Sequence, residues 1–79
     1  MMNIGSLAHQ IMMMAAEHQI QPGQPLPVAA FDLFLQENPE QIGEALEELY
    51  LTGLLEEVPH EVDLLTLKGF EYGQMRVSA

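Results

Sequence analysis

Three prolines and a glycine fall within seven residues at 21–27, in the string Gln-Pro-Gly-Gln-Pro-Leu-Pro. Proline has no amide proton to give and its ring clashes with the preceding helical turn, so no helix can run through this stretch and the chain must be extended there. The connector therefore isolates one helix before it from everything after it. In that first segment Ile4, Leu7, Ile11, Met14, Ala15 and His18 recur at three- and four-residue steps, as one buried helical stripe requires. Asn3 or Ser6 can cap this helix, which is predicted to run to about Ile20. Met12, Met13 and Ala16 widen its apolar coverage beyond a single stripe. Core packing uses such residues, with Met as a gap-filler. Because Met12 and Met13 lie outside the stripe and would otherwise face water, weak self-association into a homodimer through this helix is a second expectation.

After the connector, residues 28–36 read as a second helix, with Pro27 suited to its first position and Val28, Phe31 and Leu35 on the inner face beside Ala30 and Phe34. Asn38-Pro39-Glu40-Gln41 is a helix start: Asn at the cap, Pro at the first position and Gln three residues after the cap to complete a capping box. The third helix then carries Ile42, Ala45, Leu46, Leu49 and Tyr50 inward, and Gly53 stands where a left-handed terminating residue is expected. Its outer face holds Glu40, Glu44, Glu47, Glu48 and Leu51. Residues 54–58 and 62–65 are β-compatible runs around Pro59-His60-Glu61, which predicts a tight hairpin. Thr66 can cap a last short helix through about Gly73 that holds Phe70 on the core, leaving 74–79 as a loose tail. The predicted core is Leu7, Ile11, Phe31, Leu35, Ile42, Leu46, Leu49, Leu54 and Phe70.

Seventy-nine residues make one domain, 1–79, of the α+β class and mainly helical. With no cysteine, neither disulfides nor thiolate metal sites can support it, so apolar packing must. The start carries no Lys or Arg, and the apolar run at 11–16 is bounded by His and Gln on both sides, unlike a signal peptide or a membrane span. The expectation is a soluble, cytoplasmic protein with no membrane contact.

The order helix, connector, helix, tight turn, helix, hairpin, short helix resembles a winged helix-turn-helix. Two strings sharpen the likeness. Glu44-Ala45-Leu46-Glu47-Glu48-Leu49-Tyr50-Leu51-Thr52-Gly53-Leu54-Leu55 is similar to the helix-to-wing passage of winged-helix transcription regulators, and Leu65-Thr66-Leu67-Lys68-Gly69 to the Leu-Thr-x-x-Gly that closes their wing. The resemblance covers residues 26–73 and implies three helices, a small β-hairpin wing and a short C-terminal helix. In DNA-binding members it implies that the third helix enters the major groove and the hairpin tip meets the backbone, both with Arg and Lys.

Charge opposes that role here. Twelve carboxylates stand against Lys68 and Arg76, a formal net charge of −10. The positions expected to read DNA hold Glu40, Glu44, Glu47 and Glu48, and the hairpin tip is His60-Glu61 flanked by Glu56, Glu57 and Asp63. A site-specific DNA binder neutralises about 6–10 phosphates, and two cations placed after the wing do not supply that. Direct DNA binding is not expected, and dimerisation doubles the carboxylates along with everything else.

Reactive chemistry is present only in fragments. His9 and His18 lie more than two helical turns apart and His60 sits in a turn, so no metal site is expected. The hydroxyls of Ser6, Thr52, Thr66 and Ser78 fall mostly at helix ends, where capping accounts for them. Adjacent carboxylates such as Glu47/Glu48 and Glu56/Glu57 point apart rather than into one cleft. Gly69 and Gly73 lack the spacing of a phosphate loop. No enzyme and no cofactor are expected. The function that fits is a non-catalytic interaction module for a protein partner, basic in character, with Glu40, Glu44, Glu47 and Leu51 as the binding residues. Two alternatives stay open: a transcription regulator whose DNA contacts need an assembly or basic partner, and a DNA-mimicking inhibitor.

Overall fold

The computed structural model describes residues 4–78, with side chains through Met75; Asn3, one of the two caps considered for the first helix, lies outside the described residues. The chain forms α1 (Ser6–Glu17), α2 (Val28–Gln36), α3 (Pro39–Leu51), β1 (Leu55–Glu56), β2 (Leu64–Leu65) and α4 (Leu67–Ser78), a mainly helical α+β arrangement. No described helix is long and apolar enough to cross a membrane.

Local chemistry sets most of the boundaries. The backbone of Gly5 precedes α1 with no side-chain cap, so Ser6 begins the helix rather than capping it. At its other end Gln19 adopts φ 56°, and the amides of Gln19 and Ile20 return to the Ala16 and Ala15 carbonyls, which satisfies two of the orphan acceptors of the last turn. The same closure ends α3, where Gly53 at φ 77° lets the amides of Gly53 and Leu54 reach Tyr50 and Leu49. At the start of α3 the Asn38 side chain accepts the Glu40 amide at 2.8 Å and Pro39 occupies the first turn, as the sequence predicts, but Gln41 makes no return bond to the Asn38 amide and the expected capping box is not completed. Thr66 caps α4: its Oγ1 accepts the Gly69 amide at 3.0 Å while its hydroxyl donates to the Gly53 carbonyl at 2.6 Å. One threonine thus ties the end of α3 to the start of α4.

The hairpin pairs Leu55 with Leu65 and Glu56 with Leu64, and each strand has two residues where four or five were expected. The proline-rich connector contributes a third extended segment. The Gly23 amide reaches the Leu65 carbonyl at 2.7 Å, the Leu65 amide reaches Gln24 at 2.9 Å, and Pro25 bridges Leu64. β2 is consequently bonded on both sides.

The core is centred on Ile11, Met12, Leu49 and Leu54, with Ala8, Ala15, Leu26, Ala30, Leu33, Leu55 and Leu65 around them. Of the predicted core, Ile11, Ile42, Leu49 and Leu54 are buried, while Leu7, Leu46 and Phe70 are half-buried against it. Two placements are corrected. Met12 is 0% exposed and Met13 packs against the core, so the apolar patch expected to drive self-association is not formed by these residues. In α2 the inner face is Ala30 and Leu33, and Val28, Phe31 and Leu35 point outward at 77%, 38% and 85% exposure. α4, expected to end at about Gly73, runs on to Ser78. Gly73 stops nothing; it allows α4 to approach α1, where a Cβ at Gly73 would stand 3.0 Å from the Ala16 Cβ.

Candidate interaction surface

With Ile42, Ala45 and Leu49 buried, the outer side of α3 is fixed by geometry. At 3.6 residues per turn Glu40, Glu44, Glu47 and Leu51 fall within about 60° of one another and roughly opposite Ile42. All four are exposed, Leu51 at 80%. The residues singled out from sequence therefore share one stripe, an apolar side chain among three carboxylates.

Glu48 does not belong to that stripe. It is half-buried, and its Oε1 accepts the Gly5 amide at 3.0 Å across the start of α1. The carboxylate there answers a helix N-terminus that has no other side-chain cap, and it complements the positive end of the helix dipole. Between this end of α1 and α3 lies an open cleft of about 390 Å³ whose walls include Ser6, Gln10, Glu37, Gln41, Glu44 and Glu48. Glu44 thus faces both the outer stripe and an acidic concavity.

The hairpin presents a second acidic surface. Glu56, Glu57, His60 and Glu61 are exposed, and His60 turns the chain with φ 65°. Asp63, expected among the tip acids, is instead half-buried and accepts a 2.5 Å hydrogen bond from the Tyr50 hydroxyl. Burial, that hydrogen bond and the neighbouring charges of Asp63 and Glu57 hold the Tyr50 hydroxyl well above the usual tyrosine range. α4 packs on α1, and His9 Nδ1 meets the Tyr72 hydroxyl at 2.7 Å with the rings edge to face. Lys68, exposed on α4, is the single Lys or Arg among the described side chains.

Among the described residues no three His, Asp or Glu side chains converge on a point that could hold a metal ion. What sequence reasoning missed is the outward face of α2, whose Val28, Phe31, Asp32 and Leu35 are all exposed. Asp32 was the available signal, because a charge in a nine-residue helix marks the side turned to water. No family model matches the chain, and neither a curated protein nor a solved structure matches it.

Proposed function

We propose that the domain is a winged helix-turn-helix module that binds a basic protein partner through the outer face of α3 and does not bind DNA. The winged-helix reading is supported by the element order and by the connector that bonds to the hairpin. The observation that carries the functional reading is the stripe of Glu40, Glu44, Glu47 and Leu51 on the helix that such folds offer to DNA. Phosphates are repelled from that stripe, whereas a partner with basic side chains around an apolar contact is attracted and oriented by it. The neighbouring cleft at Glu44 adds room for one basic side chain. Neither catalysis nor a cofactor is part of this reading.

Two titrations test it. Wild-type protein with mixed-sequence duplex DNA in about 0.15 M salt shows no binding at micromolar concentration; affinity that is micromolar and falls steeply with salt overturns the reading. A synthetic 18-residue amphipathic helix of Leu and Lys binds the wild type, and the double variant E44K/E47K weakens it at least tenfold while leaving the fold intact, since exposed substitutions usually cost under about 0.5 kcal/mol. Unchanged affinity in that variant removes α3 as the contact.

A further inference from the structure

We infer that the outward face of α2 is the apolar seat of the docking surface and that it receives an amphipathic helix from a basic partner. This rests on the reading of the domain as a protein-binding module, not on which helix meets the partner. Val28, Phe31 and Leu35 follow at steps of three and four, and they fall within about 60° of one another on a 3.6-residue helix. They are exposed at 77%, 38% and 85%. The Phe31 ring is braced edge to face on Phe34, with centroids 6.0 Å apart and planes at 85°, and Phe34 itself packs against the core. A braced aromatic between two exposed aliphatics loses little side-chain freedom on contact, which is the character of a binding anchor.

Area and charge decide what covers it. The three side chains offer on the order of 300 Å² of apolar surface, the size of the largest patch on an ordinary monomer and often a functional one. A stable dimer needs about 800 Å² from each side, so two such stripes facing each other fall well short. A second copy would also set −10 against −10. Charges adjoining the stripe in the chain are all acidic: Asp32 on the face itself, then Glu37 and Glu40 just beyond its end. The cations, Lys68 and Arg76, are on α4, which packs chiefly on α1. An incoming helix with an apolar ridge for Phe31 and Leu35 and Lys or Arg beside it complements both features, and helix-on-helix recognition reads out at this i, i+3, i+7 spacing.

The test uses the whole domain and the same Leu/Lys helical peptide. Amide chemical shifts on peptide addition should concentrate at 28–37, and V28S/L35S should weaken binding at least tenfold with the core amide spectrum unchanged. A V28S/L35S variant that binds the peptide like wild type overturns the inference. If E44K/E47K loses binding in that same experiment, the α3 reading survives alone; if only V28S/L35S loses it, α2 is the contact and α3 is not. Sedimentation supplies the remaining arm: a wild-type dimer that V28S/L35S converts to monomer assigns the face to a second copy and also overturns the inference.

Discussion

The Tyr50 hydroxyl donates a 2.5 Å hydrogen bond to Asp63 Oδ2, which links the chain just before β2 to the last turn of α3. Neither residue is fully exposed, and two-residue strands provide few ladder bonds of their own. The hairpin is therefore held by what it touches: Leu55 and Leu65 in the core, the connector along β2, and Tyr50 at its outer leg.

Removing the hydroxyl isolates that contribution. Y50F keeps the ring against the core but leaves the Asp63 carboxylate without this donor, and water can reach a half-buried group to replace it in part. The expected cost is about 1 kcal/mol, read as a lower urea midpoint with an unchanged slope. A change in slope would show instead that the hairpin detaches before the rest of the domain unfolds.

The same pair makes stability sensitive to alkali. Tyr50 holds its proton more tightly folded than unfolded, because burial, the bond to Asp63 and the adjacent carboxylates all oppose the phenolate. A raised folded pKa gives a contribution fully present below the unfolded value, about 10 for tyrosine, and lost as pH rises beyond it. Thermal midpoints should hold up to about pH 10 on this account and fall above it, and Y50F should flatten that fall. An equal fall in both proteins would remove Tyr50 from the explanation.

Gly69 is a position where α4 has no room for a side chain. A Cβ there overlaps the Leu54 carbonyl oxygen and comes within 2.8 Å of Leu65 Cδ1. The first obstacle is backbone, which cannot swing aside, and it sits in the turn that Thr66 bonds. G69A should cost about 1–3 kcal/mol despite alanine's better helix propensity, whereas Gly43, with open space around its Cβ position, should gain from the same change. Urea midpoints of the two variants should move in opposite directions.

The sequence carried these elements unevenly. Asn38-Pro39, Gly53 and Thr66 are read correctly because each acts through its own neighbours, and capping chemistry needs no tertiary context. The stripe of α3 is legible for a related reason: its polar and apolar sides alternate cleanly. α2 is different, since its sequence Val-Ala-Ala-Phe-Asp-Leu-Phe-Leu-Gln is apolar on nearly every side. Two phases fit, and size favours the wrong one: Phe31 and Leu35 outweigh Ala30, yet close approach of other elements to α2 selects the small residue. Gly73 misleads similarly, because a helix-terminating glycine and a helix-packing glycine look alike until the neighbour, Ala16, is known. The Tyr50–Asp63 bond requires the hairpin register and has no local signature. Of the two proposed contact faces, that of α3 is visible in the sequence as a charge pattern, whereas that of α2 reads equally well as core.

The phase of α2 can be settled by two leucines one turn-face apart. Leu33 is 6% exposed and Leu35 is 85% exposed, although they are two residues apart and chemically identical. Truncating the inner one empties space in a core with few large side chains, so L33A should cost about 2–5 kcal/mol. A domain of this size holds on the order of 4–12 kcal/mol in total, so the variant should be visibly less stable and near the lower bound partly unfolded. L35S replaces an apolar side chain that already faces water, and its effect should stay within about 0.5 kcal/mol of wild type. Thermal melts of the two variants, measured at one concentration and pH, make the comparison direct. A large loss for L35S with little change for L33A would turn the helix by half a revolution, bury Val28, Phe31 and Leu35, and leave no apolar face on α2 for a partner to use.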